Sequence, residues 1–374
     1  MIRYITLASP FVYEEPVAAE ALADRDSELG LLTDRALDSR NSRVEGARRY
    51  GKTSLLRAVL TTVERAGAIP IEVGFLGCVS AADVAERIER AYRAQLNTRL
   101  QRWFDGLVRT LNPTISAAPG GVGLSSQPRL NAPGLLDRLA LPRRVHERTG
   151  RLCVVAFDEF QEVVRIDAAL PGVFRSELES HGKAAAYVFS GSHPGLVREL
   201  FSDRRHAFFA QAAPITLGPL PPDELAEYIV ERFRAGMRDP GEALGPLLDT
   251  AEGHAQRAML LAHHLYERVG AGESGDIESW VDTLQAARLE AQSEIQILWD
   301  SCTSLERRTL KVIAQRTVAL GGREAGTRYG LPKGGSTRET VERLFAGGHL
   351  VEDSSRRTGW RIVDPLLACW LREG

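Results

Sequence analysis

The sequence has few cysteines, no long apolar run and almost no net charge. Its four cysteines lie far apart and form no Cys-x-x-Cys pair, which argues against a zinc site or a redox couple and is typical of a reduced cytosolic protein. No apolar segment approaches the roughly 18 residues needed to cross a bilayer, and residues 1–11 lack the features of a signal peptide. These absences predict a cytoplasmic protein without a membrane partner.

The net charge is close to zero, so the protein as a whole has no electrostatic attraction for a polyanion such as nucleic acid. The formal net charge is -2 and the isoelectric point is about 6.5, so any binding to nucleic acid must be local. The chain is 44% hydrophobic, and its 374 residues are more than a single hydrophobic core usually holds. This length indicates two or three packed units.

The order of patterns along the chain predicts an α/β protein in three parts. Short β-rich runs, "RVEG", "AIPIEVGFL", "LCVVAF" and "AAYVFSGS", alternate with amphipathic helices, which is typical of a parallel sheet with helices on both faces. We expect a sheet domain over 1–218 with a Gly-, Pro- and Ser-rich inserted loop at about 112–134. A helical domain over 219–291 follows, and helices ending in a two-stranded hairpin over 292–374 predict a winged helix.

The stretch "GARRYGKT", residues 46–53, fits the phosphate-loop pattern G-x-x-x-x-G-K-[ST]. Its glycines allow a tight turn whose N–H groups converge on a phosphate, and the helix that follows adds its positive N-terminal end. Lys52 would reach the β- and γ-phosphates of ATP, and the Thr53 hydroxyl would bind Mg²⁺. The predicted ATP contacts are Gly46, Ala47, Arg48, Arg49, Tyr50, Gly51, Lys52, Thr53 and Ser54.

Two acidic residues, Asp158 and Glu159, directly follow the apolar segment 152–157, which predicts a buried parallel strand. Because ligands bind at the carboxyl ends of parallel strands, Asp158 would hold the metal through water and Glu159 would polarise the attacking water. The run "AAYVFSGS" ends in Ser190 and Ser192, of which either one would contact the γ-phosphate or the water.

These motifs and their order resemble the AAA+ ATPases. More narrowly, "EGARRYGKTSLL", "VVAFDEFQEV", "FSGSHPGLVRELFSDRRHAFF" and "GWRIVDPLLACWL" are similar to the archaeal-type ATPase family, near the STAND signalling ATPases and the origin-recognition initiators. The resemblance covers nearly the whole chain. It implies a P-loop AAA+ sheet domain, a helical lid domain, a winged helix, and hydrolysis of ATP.

The resemblance also implies residues that sense or complete the site. Arg204 or Arg205 would reach the nucleotide of a neighbouring subunit, which implies a homo-oligomer. In the lid, "GHAQRA" has Gln256 where initiators carry a sensor arginine, so Arg257 either takes over that role or is a solvated helix residue.

The last segment of the chain is basic. From Ser301 to Gly374 there are thirteen Lys or Arg and eight Asp or Glu, an excess of five positive charges. This pattern favours double-stranded DNA as a partner, while a protein effector and slow turnover remain the alternative. The candidate DNA contacts are Lys333, Arg338, Arg343, Arg356 and Arg357.

Overall fold

The computed structural model describes residues 9–111, 132–332 and 334–373. Its main sheet has five parallel strands in the order β2-β3-β4-β1-β5. The strands are β1 (Ser42–Gly46), β2 (Ile69–Gly74), β3 (Cys153–Asp158), β4 (Ala185–Ser190) and β5 (Ala213–Leu217). The predicted parallel sheet is thereby confirmed, and the phosphate-loop strand β1 lies between β4 and β5.

Helices cover both faces of the sheet. Their bounds are α1 (Asp26–Leu37), α2 (Lys52–Arg65), α3 (Ala81–Gln95), α4 (Thr98–Leu111), α5 (Ala132–Leu139), α6 (Leu141–Thr149), α7 (Gln161–Ile166), α8 (Leu170–Glu179) and α9 (Pro194–Ser202). Apolar residues of α1 and α2 pack on one face, with Val154 and Val188 of the sheet. Residues of α3–α9 pack on the other, around Phe157 and Phe189. Since β3 and β4 are buried on both faces, their sequences are nearly continuous apolar runs.

Two details differ from the sequence-based expectation. The strand β5 was not predicted, because it is short, lies at the sheet edge and contains Pro214, a residue that normally argues against a strand. The predicted insertion extends to residue 134, yet α5 begins at Ala132. The rest of that insertion, 112–131, lies outside the described residues.

The remaining elements are helical, with one hairpin. They are α10 (Pro222–Ala235), α11 (Leu244–Ala251), α12 (Ala255–Arg268), α13 (Ile277–Ser301), α14 (Ser304–Ala314), α15 (Arg323–Tyr329), α16 (Gly335–Ala346), β6 (Leu350–Glu352), β7 (Trp360–Ile362) and α17 (Pro365–Glu373). We call α10–α12 the lid and residues 304–373 the C-terminal unit. In the described part of the chain, no helix is long and apolar enough to span a membrane.

The lid and the C-terminal unit share one hydrophobic core. Ile229 and Leu261 of the lid belong to the same buried cluster as Leu310, Leu344 and Leu366 of the C-terminal unit. The 25-residue helix α13 joins the two parts and runs across residue 291, where the sequence suggested a boundary. The division of the chain into three domains stays a prediction, and the last two parts pack around one core.

Candidate active site

The phosphate loop connects β1 to α2 at the carboxyl edge of the sheet. Arg49 and Gly51 both have left-handed backbones, with φ of 62° and 87°, so the chain reverses tightly before α2 begins at Lys52. Gly46 is required for a different reason: a Cβ there would lie 3.0 Å from the carbonyl oxygen of Leu217 in β5. Glycine is therefore required at position 46 by the neighbouring strand β5 and at position 51 by the conformation of the turn.

Lys52 is buried within this loop. Its Nζ donates hydrogen bonds to the carbonyl oxygens of Gly46 at 3.0 Å and Ala47 at 2.7 Å. Burial lowers the pKa of Lys52 to about 8, although the nearby carboxylates of Glu159 and Asp158 oppose that shift. The ammonium group thus lies between the loop and the acidic strand end, where a phosphate would be held.

Thr53 and Asp158 bring two oxygen ligands together from separate elements. The Thr53 hydroxyl donates to Asp158 Oδ2 at 2.8 Å, joining α2 to the end of β3. One carboxylate and one hydroxyl suit Mg²⁺, which binds few protein oxygens and completes its shell with nucleotide phosphates and water. Among the described residues no cluster of three or more His, Cys, Asp or Glu side chains could hold a metal by itself. The donor set therefore fits a metal that arrives with a nucleotide.

Glu159 follows Asp158 with a strained backbone, at φ 55°. Its Oε2 accepts hydrogen bonds from the Ser192 hydroxyl at 2.7 Å, from the Ser192 backbone N–H at 3.2 Å and from Gln161 Nε2. Burial alone would raise the pKa of this carboxyl, but the three hydrogen bonds and the charge of Lys52 outweigh it and lower the pKa. Glu159 is accordingly an ionised carboxylate held in one place.

The two candidate serines occupy different positions. Ser192 binds Glu159 and lines the cavity described below. Ser190 is fully buried at the end of β4, and its hydroxyl has no hydrogen-bond partner within the described part of the chain. The structure therefore brings Ser192 to the acidic residues, whereas Ser190 contributes its carbonyl oxygen to the N–H of Phe160 at 2.9 Å.

A cavity of about 550 Å³ connects these groups to the lid. It is lined by the segment 12–17, the loop and helix residues 48–54, Glu159 and Ser192, and residues of α10, α12 and α13. Its volume falls within the usual range for small-ligand sites. Ser54 contributes indirectly, since its hydroxyl accepts a hydrogen bond from the backbone N–H of Val17 at 3.1 Å and so ties segment 12–17 to the loop.

Arg257 also lines the cavity, but ion pairs occupy its guanidinium. This group is 3% exposed, donates to both carboxylate oxygens of Asp364 at 3.2 and 2.5 Å, and lies 3.0 Å from Glu294. Glu294 in turn pairs with Arg49 of the phosphate loop at 2.7 Å. The candidate sensor is therefore neither solvated nor free: it joins the lid to Asp364, the residue immediately before α17.

Arg204 and Arg205 lie on the surface between α9 and β5. Arg205 pairs with Asp203 at 2.6 Å while its side chain is 83% exposed, and the guanidinium of Arg204 lies 6.0 Å from the ring centre of Phe209. Neither residue lines the cavity. Their exposure is compatible with a contact to another subunit, which stays a prediction.

Some of the candidate DNA contacts are exposed arginines, and others are already paired with groups of the protein. Arg338 is 84% exposed and pairs with Glu342 of its own helix, and Arg343 is likewise exposed. Arg356, in the turn of the β6–β7 hairpin, is instead paired with Glu252 of the lid at 2.8 Å. Arg357 donates to the carbonyl oxygen of Thr317 at 3.3 Å. Lys333 lies outside the described residues.

Sequence reasoning missed several residues of this region. Gln161 carries a signal only in hindsight, as the polar residue three positions after Asp158 in "DEFQ". Glu252 and Glu294 have no local signal, because each one's partners lie on distant parts of the chain. Asp364 belongs to the terminal motif "GWRIVDPLLACWL", but its pairing with Arg257 was not predicted.

No family model and no curated protein matches the chain. Solved structures match it over almost its full length. The Walker-type ATPase PABY2304 of Pyrococcus abyssi is similar with a TM-score of 0.69 and 19% identity, over 97% of this chain and 99% of that one. The ORC2 protein of Aeropyrum pernix, in ADPNP-ADP complexes, is similar with a TM-score of 0.60 and 17% identity, over 97% and 95% of the two chains. These likenesses confirm the predicted AAA+ fold, with its C-terminal unit.

Proposed function

We propose that this chain is an AAA+ molecular switch that binds and hydrolyses ATP and couples its nucleotide state to oligomerisation and DNA binding. The observation that carries the proposal is the convergence of Lys52, the Thr53–Asp158 pair and Glu159 on one cavity whose opposite wall is the lid. A ligand in that cavity would contact sheet and lid together. The ADPNP and ADP complexes described for ORC2 of Aeropyrum pernix support adenine nucleotides as that ligand.

Each residue then has a defined task. Lys52 would donate to the β- and γ-phosphates instead of the loop carbonyls, while Thr53 and Asp158 would hold Mg²⁺. The ion, when bound, neutralises charge on the phosphates. Glu159, anchored through Oε2, would accept the proton of the attacking water. Arg204 and Arg205 would act on the site of a neighbouring subunit.

DNA binding would use the exposed arginines of the C-terminal unit. Arg338, Arg343 and Arg357 are exposed to solvent and could therefore contact a phosphate backbone. The excess of positive charge over residues 301–374 supports the same role. The second candidate function is a regulatory ATPase that recruits a protein effector. It is favoured by the pairing of Arg356 with Glu252, which leaves the hairpin less basic than its sequence suggests.

Lys52→Ala and Glu159→Gln test the ATPase. Loss of the Lys52 contact, worth about 1.5 to 3 kcal/mol, should weaken ATP binding about ten- to a hundredfold. Glu159→Gln should keep ATP binding and slow hydrolysis by on the order of a hundredfold or more. Nucleotide titration and phosphate release measure the two effects.

Lys183→Ala, at an exposed lysine remote from the cavity, is the matched control for the first variant, and Glu179→Gln for the second. ATP binding that is equal in the Lys52→Ala and Lys183→Ala proteins would contradict the assigned site. Turnover that is unchanged in Glu159→Gln would point to another base.

A further inference from the structure

Gln161, the first residue of α7, is a buried amide beneath the acidic strand end. Its side chain is 1% exposed. Its Nε2 donates to Glu159 Oε2 and lies 3.4 Å from Nδ1 of His193. Its Oε1 is buried without a hydrogen-bond partner in the residues that the structure describes. A half-satisfied buried amide is a local cost of the kind found at functional sites.

The turn after β4 leaves space for this amide. A Cβ at Gly191 would lie 2.1 Å from Gln161 Oε1 and 2.6 Å from Cγ2 of Val197. The backbone of Gly191 does not have the left-handed conformation that favours glycine, so the requirement there is space. Gly191 separates Ser190 from Ser192, and the same turn thus admits Gln161 and presents Ser192 to Glu159.

The donors around Glu159 all act on one oxygen. Gln161 Nε2, the Ser192 hydroxyl and the Ser192 N–H bind Oε2, and among the described residues no hydrogen bond is made to Oε1. The left-handed backbone of Glu159 is disfavoured for a residue with a side chain, so contacts from its surroundings must maintain it. Oε1 is consequently the oxygen available to a water molecule.

We propose that Gln161 is a positioning residue for hydrolysis, which together with Ser192 anchors Oε2 of Glu159 and leaves Oε1 to accept the proton of the attacking water. This inference rests on the proposed ATPase function. Gln161 acts through Glu159 and does not itself line the cavity. It should therefore affect the rate of the chemical step and leave ATP binding alone.

Gln161→Met removes the donor while keeping a side chain of similar length and volume. We expect kcat to fall about ten- to a hundredfold, as for a misplaced catalytic group, with KM for ATP within about twofold of the parent. Gln296→Met, the same change at an exposed position of α13, is the matched control and should leave both constants unchanged. Gly191→Ala should lower kcat in the same way, because the added Cβ displaces the amide.

A double-mutant cycle with Glu159→Gln distinguishes positioning from a general structural role. If Gln161 acts through the Glu159 carboxylate, Gln161→Met should slow the Glu159→Gln protein by less than about twofold. A structural role would slow both backgrounds by the same factor. For Ser192, the second anchor, Ser192→Ala should lower kcat, and Ser192→Thr, which keeps a hydroxyl, should restore most of it.

The outcomes separate this inference from the function on which it rests. A parent protein that neither binds nor hydrolyses ATP would overturn the proposed function itself. A parent that hydrolyses ATP, together with a Gln161→Met protein whose kcat is unchanged, is raised, or falls equally in both backgrounds, would overturn the role of Gln161 alone. Should Gln161→Met fail to fold, Gln161→Asn, which withdraws the amide by one methylene, takes its place in the cycle.

Discussion

At the carboxyl edge of the sheet, charged side chains face a cavity, whereas at the junction of the lid with the C-terminal unit the same residue types neutralise one another. Lys52 and Glu159 line a space that can admit a phosphate. Arg257 and Asp364 instead bind each other, and Glu252 lies within ion-pair distance of three arginines of the C-terminal unit: Arg316, Arg356 and Arg361. An arginine is thus available for function where packing leaves it exposed, as for Arg205 and Arg338, and not where a carboxylate from another element buries it.

The junction also connects to the phosphate loop. Glu294 of α13 accepts hydrogen bonds from both Arg49 and Arg257, and Tyr50 packs edge-to-face on His254 and contacts Val363. Breaking a buried ion pair by removing one partner is strongly destabilising, because the other charge is left unpaired. A nucleotide bound at the loop would therefore act on a surface that already holds the C-terminal unit.

The largest expected effect concerns Arg204 and Arg205, the arginines that packing leaves exposed. If they reach a neighbouring active site, Arg204→Ala/Arg205→Ala should lower kcat by roughly 10³ or more, because an arginine in trans stabilises charge on the γ-phosphoryl oxygens. ATP affinity should stay nearly intact, and the specific activity of the parent should rise with protein concentration. Phosphate release at several protein concentrations measures this.

Mixing that variant with Glu159→Gln should restore part of the activity, since mixed interfaces combine an intact carboxylate with an intact arginine. Arg234→Ala, at an exposed arginine of α10, is the control and should remain fully active. Activity that is independent of concentration in the parent, and no rescue in the mixture, would show that the ATPase works alone.

A medium effect is expected from pH at the junction. His254 accepts a hydrogen bond from the N–H of Arg257 through Nδ1, at the start of α12. Burial, opposed by Asp364 and reinforced by Arg257, lowers the pKa of His254 to about 3. In the unfolded chain His254 has an ordinary histidine pKa of about 6.5 and therefore binds the proton more readily than in the folded protein. The contribution of neutral His254 to the free energy of unfolding is thus complete above about pH 6.5 and is lost as the pH falls toward 3.

His254→Asn keeps a capping acceptor without the titration. Between about pH 7.5 and about pH 5 the parent should lose about 2 kcal/mol of unfolding free energy more than this variant. Urea unfolding of both proteins at each pH gives the difference. Equal losses in the two proteins would mean that His254 does not resist protonation.

The smallest effect tests whether paired arginines can be made available. Glu252→Gln removes the carboxylate shared by Arg316, Arg356 and Arg361, which should strengthen binding to duplex DNA and steepen the slope of log affinity against log salt by about one to two. Glu231→Gln, the same charge change at an exposed position of α10, controls for net charge. An identical salt slope in the two variants would favour the protein-effector function.

Much of the candidate active site was predictable because its signals are local. The loop 46–53 joins a strand to a helix within a few residues, and Asp158 follows directly from a buried strand. Although Thr53 and Asp158 are 105 residues apart, the carboxyl ends of parallel strands meet at one edge, so their meeting also followed from the pattern. The choice of Ser192 over Ser190 did not, since it depends on which side chain the turn directs to Glu159.

What the sequence determined by itself is therefore four of the five strands of the parallel sheet, the phosphate loop and the acidic strand end, where short-range geometry and the shared carboxyl edge of parallel strands dictate the neighbours. Tertiary structure alone decided which charges are free. Arg257 meets Asp364 across 107 residues and Glu252 meets Arg356 across 104, because the lid and the C-terminal unit pack around one core. No local pattern encodes such pairs, because the sequence around an arginine does not show whether its side chain faces solvent, a phosphate or a carboxylate from another element.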